Sequence, residues 1–285
     1  MGAVHHMLLY GCTEPGLINE QVWNCGGMGG DEEDVLYSGE SLLSGSICSE
    51  GQQRILYAWA KNAPSLILPE DVGFEIGGKS GIASLVLQLH FGDPHDMPMV
   101  WNLANGQIGL TLEVTEQRQK KLAGVYLLAT GGSVEPRATT FLESACIMKE
   151  EKTIYPFAFR THSHSLGKVI SGYRVRVDEF GECKWSLIGK KDPQLPQMFY
   201  PVEHYIPVKN GDILAARCTM ESNRKRMTYI GPTRNDEMCN FYIMYYVTDG
   251  QILEADSCGG EGPFENYWER NYPTLNNFPD DASLL

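Results

Sequence analysis

Positive charge is scarce in this chain of 285 residues, which has 23 Lys and Arg against 36 Asp and Glu and a formal net charge of −13. A surface of that sign repels phosphate groups, so nucleic acids and anionic membranes are poor candidate partners. The sequence also lacks an apolar run of about 20 residues, which a membrane-spanning helix needs. We therefore expect no nucleic-acid partner and no membrane span in this chain.

Secretory signals are missing as well. The first residues, MGAVHHMLLYGC, have neither the basic region nor the cleavage site of a signal peptide. The eight cysteines are nevertheless even in number and dispersed, which favours disulfide bonds in an oxidising compartment. None of them forms a C-x-x-C pair, which weighs against a zinc ribbon or a thioredoxin-like motif. Disulfide bonds in an oxidising compartment conflict with the lack of a signal peptide. One resolution is that the true N-terminus lies upstream of Met1.

Helical periodicity is almost absent, whereas most segments alternate with the period of two that is typical of strands. The predicted strands are Arg54–Lys61 (preferred over a helical turn), Ser84–His90, Lys168–Val177, Lys184–Ile188, Gly211–Met220 and Asn240–Thr248. Between the third and fourth of these, Asp178–Glu182 predicts a hairpin turn in which Gly181 can take a positive φ. This pattern predicts two antiparallel β-sandwich domains, an all-β fold with almost no helix.

A charged stretch without strand periodicity, Glu113–Lys121, is the best candidate for a linker between these domains. It divides the chain into a first domain at 1–115 and a second domain at 122–262. The residues at 263–285 are aromatic and polar without a regular period, and we expect them to form a tail that wraps a surface or frays.

Five of the seven histidines are candidate metal ligands. His162 and His164 flank one serine, and in a strand both imidazoles would face the same ion. His5 and His6 are adjacent, so their rings would need a bend in the strand to share an ion. His90 ends a hydrophobic strand, where a lone histidine is more often a satisfied core residue.

The identity of the metal depends on the remaining ligand. Three imidazoles suit zinc, copper or iron and do not choose among them. A thioether ligand, such as that of Met238, would select copper. Spacing alone does not distinguish Met238 from the other methionines, of which the chain has 11 in all.

Seven blocks of sequence, in order along the chain, carry a resemblance to a known enzyme family. They are HHMLLYGC, ILYAWAKNAP followed by LPEDVGFEIGG, LQLHFGD, RTHSHSLGKVISGYRVR, PQLPQMFYPVEH, GDILAARC and DEMCNFYIMYY. Together they resemble the copper type II, ascorbate-dependent monooxygenases, from His5 to about Cys258. The stretch SLGKVISGYRVR is similar to the peptidylglycine α-hydroxylating branch rather than to the dopamine β-monooxygenase or orphan branches.

The resemblance implies two jelly-roll-like β-sandwich domains, with the active site in the cleft between them and two copper ions per chain. The first copper, which stores and delivers an electron, is implied to bind His5, His6 and His90. The second, which binds O2 as co-substrate, is implied to bind His162, His164 and Met238, and these three are the catalytic residues. Ascorbate is the implied electron donor.

The implied reaction hydroxylates the α-carbon of a C-terminal glycine, the first step of peptide amidation. Arg160, Asn240 and Tyr242 are implied to hold the substrate carboxylate, and we assign Gln88, on the same strand face as His90, to substrate binding with them. A separate lyase would act on the product. The compartment is expected to be the secretory pathway, in a granule or outside the cell.

The cysteines are implied to pair as Cys12–Cys25, Cys146–Cys258 and Cys218–Cys239. The partner of Cys48 would lie in a segment upstream of this sequence, and Cys183 would be an additional cysteine. We therefore expect the first domain to be truncated at its N-terminus. Two alternatives remain open: a dopamine β-monooxygenase-like or orphan enzyme of the same fold, and an inactive, truncated copper-binding form.

Overall fold

The computed structural model describes residues 4–25, 36–37, 40–41, 43–60, 63–91, 109–231, 233, 235–259 and 262–285. Their regular secondary structure is almost entirely β-strand, which confirms the predicted all-β fold class. Helix is confined to α1 (Tyr267–Arg270) and a 3-10 turn (Asp280–Ser283). In the described part of the chain, no helix is long and apolar enough to cross a membrane.

The strands follow one another along the chain as β1 to β17. They are β1 (Val4–Cys12), β2 (Leu36–Tyr37), β3 (Glu40–Ser41), β4 (Gln53–Ala60), β5 (Val72–Gly73), β6 (Ser84–Phe91), β7 (Lys121–Ala129), β8 (Ser133–Val134), β9 (Thr139–Ile147), β10 (Tyr155–His162), β11 (Gly167–Val177), β12 (Cys183–Lys191), β13 (Tyr200–Pro201), β14 (Ile213–Glu221), β15 (Thr228–Tyr229), β16 (Asn240–Val247) and β17 (Ser257–Gly259).

The chain divides into two compact units. The first comprises Met1–Ala63 and Gly73–Lys120, and the second comprises Pro64–Val72 and Lys121–Leu285. The segment Pro64–Val72 belongs to the second unit. It is attached to the start of β7, because Lys121 N–H donates to the Asp71 carbonyl over 3.0 Å.

The first unit contains an antiparallel sheet in the order β4-β1-β6. The segment predicted as a strand at Arg54–Lys61 is β4, and its buried and partly exposed residues alternate strictly from Arg54 onward. Leu9, Leu56 and Ile82 form a buried cluster in this unit, with Tyr57 packed against it. The alternation that predicted the strand therefore also determines which of its side chains enter the core.

The second unit is a sandwich of two sheets. One sheet has its main path in the order β13-β10-β16-β7-β17, and the other has the order β12-β11-β14-β9. Its core contains Leu128, Phe241 and Ile243 from the first sheet and Ile170 and Leu214 from the second. The predicted hairpin is confirmed: β11 pairs with β12, and Gly181 in the turn has a φ of 83°.

Two glycines allow the sheets to approach closely behind β10 and β16. Gly172 and Gly189 are paired across β11 and β12. A Cβ atom on Gly172 would lie 2.2 Å from the Phe241 ring, and one on Gly189 would lie 2.3 Å from the Phe159 ring. The two rings stack with centroids 5.7 Å apart. This packing supports the strands that carry the candidate site.

The C-terminal residues lie against the second sheet of the sandwich. Trp268 is fully buried and belongs to a cluster with Tyr173 and Val175 of β11. Its backbone N–H donates to the buried Glu143 carboxylate over 2.6 Å. This segment therefore wraps the outer face of that sheet.

The predicted disulfide Cys12–Cys25 is wrong, because Cys12 is bonded to Cys48. The chain after β1 pairs with the chain before β4: Gly16 N–H donates to the Ile47 carbonyl over 2.9 Å. This pairing brings Cys48 to a Cα–Cα distance of 5.5 Å from Cys12, which suits a disulfide. The expectation of an upstream partner for Cys48 is wrong for the same reason.

The second unit contains the disulfides Cys146–Cys258 and Cys218–Cys239, which are the partners that the resemblance implies. Cys25 and Cys183 carry free thiols. Burial raises the pKa of the Cys183 thiol above its ordinary value.

Candidate active site

The end of β10 and the start of β16 bring together the sequence-predicted residues of the second unit. Antiparallel pairing places His162 opposite Asn240 and Arg160 opposite Tyr242. Met238 precedes β16 by two residues, and its Sδ lies 3.3 Å from His162 Nε2. An imidazole and a thioether from distant parts of the chain are thus in direct contact.

His164 approaches this pair by a different route from the one that the H-x-H spacing suggested. β10 ends at His162, so His164 lies in the following turn. The two rings are nearly perpendicular, with an interplanar angle of 83° and centroids 5.7 Å apart. Strand alternation therefore does not account for their proximity.

The buried carboxylate of Glu237 holds that turn in place. It accepts the backbone N–H groups of His164, of Leu166 (2.7 Å) and of Met238 (2.9 Å). Three backbone donors on one carboxylate tie the segment that carries His164 to the segment that carries Met238.

The Nδ1 atoms of both rings have oxygen partners. His162 Nδ1 lies 2.6 Å from Gln197 Oε1, and His164 Nδ1 lies 3.0 Å from the Asp236 carbonyl oxygen. A carbonyl oxygen only accepts hydrogen bonds, so each Nδ1 carries the proton and each neutral ring has its lone pair on Nε2. Both rings are thereby prepared to bind a metal ion through Nε2.

Arg160 is 2% exposed and lies on β10, two residues before His162. Its guanidinium carbon is 5.1 Å from the centre of the Tyr242 ring, and its Nε donates to the Gln197 carbonyl over 2.9 Å. Asn240 Nδ2 lies 3.4 Å from the Tyr242 hydroxyl. A planar cation, a phenol and an amide are thus in contact along two paired strands, next to His162 in the ladder.

The first unit holds a second group of predicted residues. β1 pairs with β6 so that His6 lies opposite His90, and their rings stack with centroids 4.1 Å apart. The side chain of His5 lies outside the described residues. Gln88 is buried on β6, where its amide oxygen lies 3.4 Å from the Tyr10 hydroxyl and its amide nitrogen 3.3 Å from Cys25 Sγ.

Comparison with protein-family models identifies the family to which the chain belongs. The family model for the C-terminal domain of copper type II ascorbate-dependent monooxygenases matches residues 121–271, more than half of the chain. The model for the N-terminal domain of the same family matches residues 1–98. The chain belongs to this family.

Individual copper monooxygenases differ in their similarity to the chain. Peptidyl-glycine alpha-amidating monooxygenase A from Xenopus laevis is 40% identical over 286 residues, covering 99% of this chain and 27% of the relative. The enzyme from Mus musculus is 42% identical, covering 90% of this chain and 24% of the relative. Dopamine beta-hydroxylase from Homo sapiens is 26% identical, covering 68% of this chain and 32% of the relative. The chain thus spans about a quarter to a third of each relative.

The donor set in the second unit fits the metal of this family. Within the described ranges, no group of three or more His, Cys, Asp or Glu side chains could hold a metal ion. The cluster at the end of β10 instead combines two imidazoles with the thioether of Met238, a mixture that suits Cu(I). Both imidazoles have Nδ1 committed to oxygen partners, which leaves Nε2 as the ligand atom. In the first unit, the stacked rings of His6 and His90 supply two further imidazoles.

Sequence reasoning missed two residues of this site, Gln197 and Glu237. Glu237 adjoins Met238, but nothing in the local pattern indicates that its carboxylate turns inward. Gln197 lies in the loop between β12 and β13, 35 residues after His162. Only the fold brings either side chain to the imidazoles.

Proposed function

We propose that this copper monooxygenase hydroxylates the α-carbon of the C-terminal glycine of peptides, with ascorbate as electron donor and O2 as co-substrate. The observation that carries the proposal is the buried guanidinium of Arg160, two residues from His162 on one strand and stacked on Tyr242. A carboxylate at this guanidinium would position the neighbouring α-carbon beside the imidazole. The similarity to peptidyl-glycine alpha-amidating monooxygenases supports the same substrate class.

Two copper ions are proposed per chain. The proposed ligands are His5, His6 and His90 for the first ion, and His162, His164 and Met238 for the second. When bound, copper supplies one-electron redox chemistry and the activation of O2. The contact between Met238 Sδ and His162 Nε2 supports the second ligand set, because the two proposed donor atoms lie only 3.3 Å apart. The pairing of His6 with His90 across β1 and β6 supports the first set.

The protein's own side chains perform the binding and orientation. Arg160 forms charge-assisted hydrogen bonds with the substrate carboxylate, for which the planar guanidinium is well suited. Tyr242 and Asn240 complete the anchor from the opposite strand, and Gln88 is proposed as a further substrate-binding residue in the first unit. His162 and His164 direct their Nε2 atoms away from Gln197 and the Asp236 carbonyl.

The overall reaction replaces one C–H bond of the glycine α-carbon with C–OH. One oxygen atom of O2 enters the product, the other leaves as water, and two molecules of ascorbate each supply one electron. A separate lyase would then release glyoxylate and the peptide amide. The proposed location is the secretory pathway, in a granule or outside the cell, and the three disulfides support an oxidising compartment.

The proposal is tested by supplying the full chain with Cu(II), ascorbate, O2 and a short peptide that ends in glycine. Oxygen consumption and the gain of one oxygen atom by the peptide, detected by mass spectrometry, are the expected results. The matched peptide amide should react poorly, and Met238→Ile should abolish the reaction. Hydroxylation of tyramine in place of the peptide would instead favour a dopamine β-monooxygenase-like activity. Copper binding without turnover of either substrate would overturn the proposal.

A further inference from the structure

We propose that Gln197 is a positioning residue that sets the tautomer of His162 and holds Arg160 in the same network. The consequence for copper rests on the proposed function, whereas the tautomer does not. Gln197 is 3% exposed and lies in the loop between β12 and β13, 35 residues after His162 in the sequence. Its side chain contacts His162, and its backbone carbonyl accepts a hydrogen bond from Arg160.

The amide nitrogen fixes the orientation of the Gln197 side chain. Nε2 donates to the Ser163 carbonyl and to the Pro193 carbonyl, both over 3.0 Å. Both N–H groups of the amide are therefore used by oxygen atoms that only accept hydrogen bonds. The amide oxygen must consequently point the other way, where His162 Nδ1 lies 2.6 Å from it.

This orientation determines where the imidazole carries its proton. An amide oxygen has no proton to donate, so His162 Nδ1 is the donor and Nε2 of the neutral ring has the lone pair. That lone pair is on the nitrogen that lies 3.3 Å from Met238 Sδ. Gln197 thus keeps the proton away from the nitrogen that would bind copper.

Gln197 also contacts the proposed carboxylate anchor. Its backbone carbonyl accepts a hydrogen bond from Arg160 Nε over 2.9 Å, and its amide oxygen lies 3.4 Å from Arg160 Nη2. One residue therefore touches both the proposed metal ligand and the proposed substrate anchor. The guanidinium contact to Oε1 reinforces the same amide orientation, because a guanidinium only donates hydrogen bonds.

His164 provides an internal reference for this interpretation. Its Nδ1 is held by the backbone carbonyl of Asp236, which no side-chain substitution removes. Substitution of Gln197 should therefore change the tautomer of His162 and leave that of His164 unaltered. A general loosening of the site would alter both rings.

The experiment is nitrogen NMR of the imidazoles in the metal-free full chain, at an alkaline pH where both rings are neutral. The wild type should show His162 protonated on Nδ1. Gln197→Met removes the acceptor and should convert a large share of His162 to the Nε2-protonated form. Gln197→Glu keeps an acceptor and should retain the Nδ1-protonated form, although it loses the donors to Ser163 and Pro193.

Gln194→Met is the matched control. Gln194 lies in the same loop, and its side-chain amide donates to the His164 carbonyl over 2.6 Å and to the Gly167 carbonyl over 3.1 Å. This variant should leave the His162 tautomer unchanged. Protonation of His162 on Nε2 in the wild type would overturn the proposal, even if Gln197→Met did not fold. An unchanged His162 tautomer in folded Gln197→Met would overturn it equally.

Copper affinity supplies a second readout. Loss of a partner that orients a metal-binding histidine typically weakens metal binding by about 10–100-fold. We expect that range for Cu(I) binding to the His162 site in Gln197→Met, measured by chelator competition, and a smaller loss in Gln197→Glu. Equal Cu(I) affinity in Gln197→Met and the wild type would overturn the inference that Gln197 strengthens copper binding at His162. If the tautomer follows Gln197 but the wild type hydroxylates no peptide, the positioning role stands and the proposed function fails.

Discussion

At the scale of single residues, the feature that distinguishes this site from a generic metal-binding pair is a buried arginine. Arg160 lies among aromatic and amide groups, stacked on Tyr242 and bonded to the Gln197 carbonyl. A guanidinium is well suited to bind a carboxylate through charge-assisted hydrogen bonds. Under the proposed function, Arg160 would therefore set both the charge and the position of the substrate.

Arg160→Gln should weaken binding of glycine-extended peptides with a smaller effect on the chemical step. A charge-assisted hydrogen bond contributes about 1.5–3 kcal/mol, which corresponds to roughly 10- to 150-fold in affinity. The contact is made equally in the ground and transition states, so KM should rise more than kcat falls. Steady-state kinetics with the full chain measures both constants.

Arg174→Gln is the control for that substitution, because Arg174 is a partly buried arginine that bonds Ser186 in the other sheet. It should leave KM unchanged. Comparing acid and amide forms of the peptide completes the design. The loss of binding free energy is measured for removal of the substrate carboxylate, for Arg160→Gln, and for both together. If the two losses were fully additive, the guanidinium would not contact the carboxylate.

At the scale of elements, the β11–β12 hairpin depends on one aspartate in its turn. The Asp178 carboxylate accepts the backbone N–H groups of Glu182 (3.0 Å) and Phe180 (2.9 Å). These bonds, with Lys184 nearby, lower the pKa of Asp178 below its ordinary value. The turn is thus held best by the ionised carboxylate.

The pKa of Asp178, measured by NMR titration of its carboxyl carbon, should lie below about 3.9, the value of an unperturbed aspartate. Because the pKa is lower in the folded state, the stabilisation is present above that unfolded value and is lost as the pH falls through the folded pKa. Asp178→Asn should remove this pH dependence and keep part of the turn bonding. A titration at or above the unperturbed value would contradict the assignment.

The close approach of the two sheets predicts a sharp response at Gly172. In Gly172→Ala the new Cβ would meet the Phe241 ring, which lies between Asn240 and Tyr242 in sequence. Overpacking of a core typically costs about 1–3 kcal/mol, and we expect at least that loss in the free energy of unfolding. Denaturant unfolding measures it.

Gly259→Ala is the matched control, since a Cβ atom at this strand glycine has nothing within 4 Å. Its free energy of unfolding should change by only about a few tenths of a kcal/mol. Equal stability of Gly172→Ala and the wild type would show that the sheets are not in such close contact.

At the scale of the whole molecule, long-range disulfides connect segments far apart in sequence. Cys146–Cys258 spans 112 residues, and Cys12–Cys48 spans 36. Crosslinks of this length stabilise a fold mainly by restricting the unfolded chain. The two remaining thiols, those of Cys25 and Cys183, differ in exposure, because Cys25 is partly exposed and Cys183 is buried.

Peptide mapping without reduction should therefore recover Cys12 joined to Cys48. Two thiols per chain should react with an alkylating reagent after denaturation. In the native protein Cys25 should react first, because burial both shields Cys183 and raises the pKa of its thiol. Recovery of a peptide joining Cys12 to Cys25 would contradict the observed pairing.

Local pattern predicted β6 and β16, two of the strands that carry candidate site residues, but it did not predict how the site is held. Alternation and β-rich composition predicted the segments now seen as β6, β11 and β16, although β16 and most of β11 are buried on both faces. The same reasoning assigned both residues of the H-x-H pair to one strand. β10 instead ends at His162, since the Glu237 carboxylate bonds the backbone of the following turn.

The sequence by itself determined the β-structure, the family and the candidate donors, because periodicity, composition and collinear blocks are properties of the chain alone. Tertiary structure decided the partners: Cys48 rather than Cys25 for Cys12, and Gln197 for His162. Each of these contacts joins segments at least 35 residues apart. Strand register and loop paths determine such contacts, and these depend on the packing of the whole unit rather than on local preference.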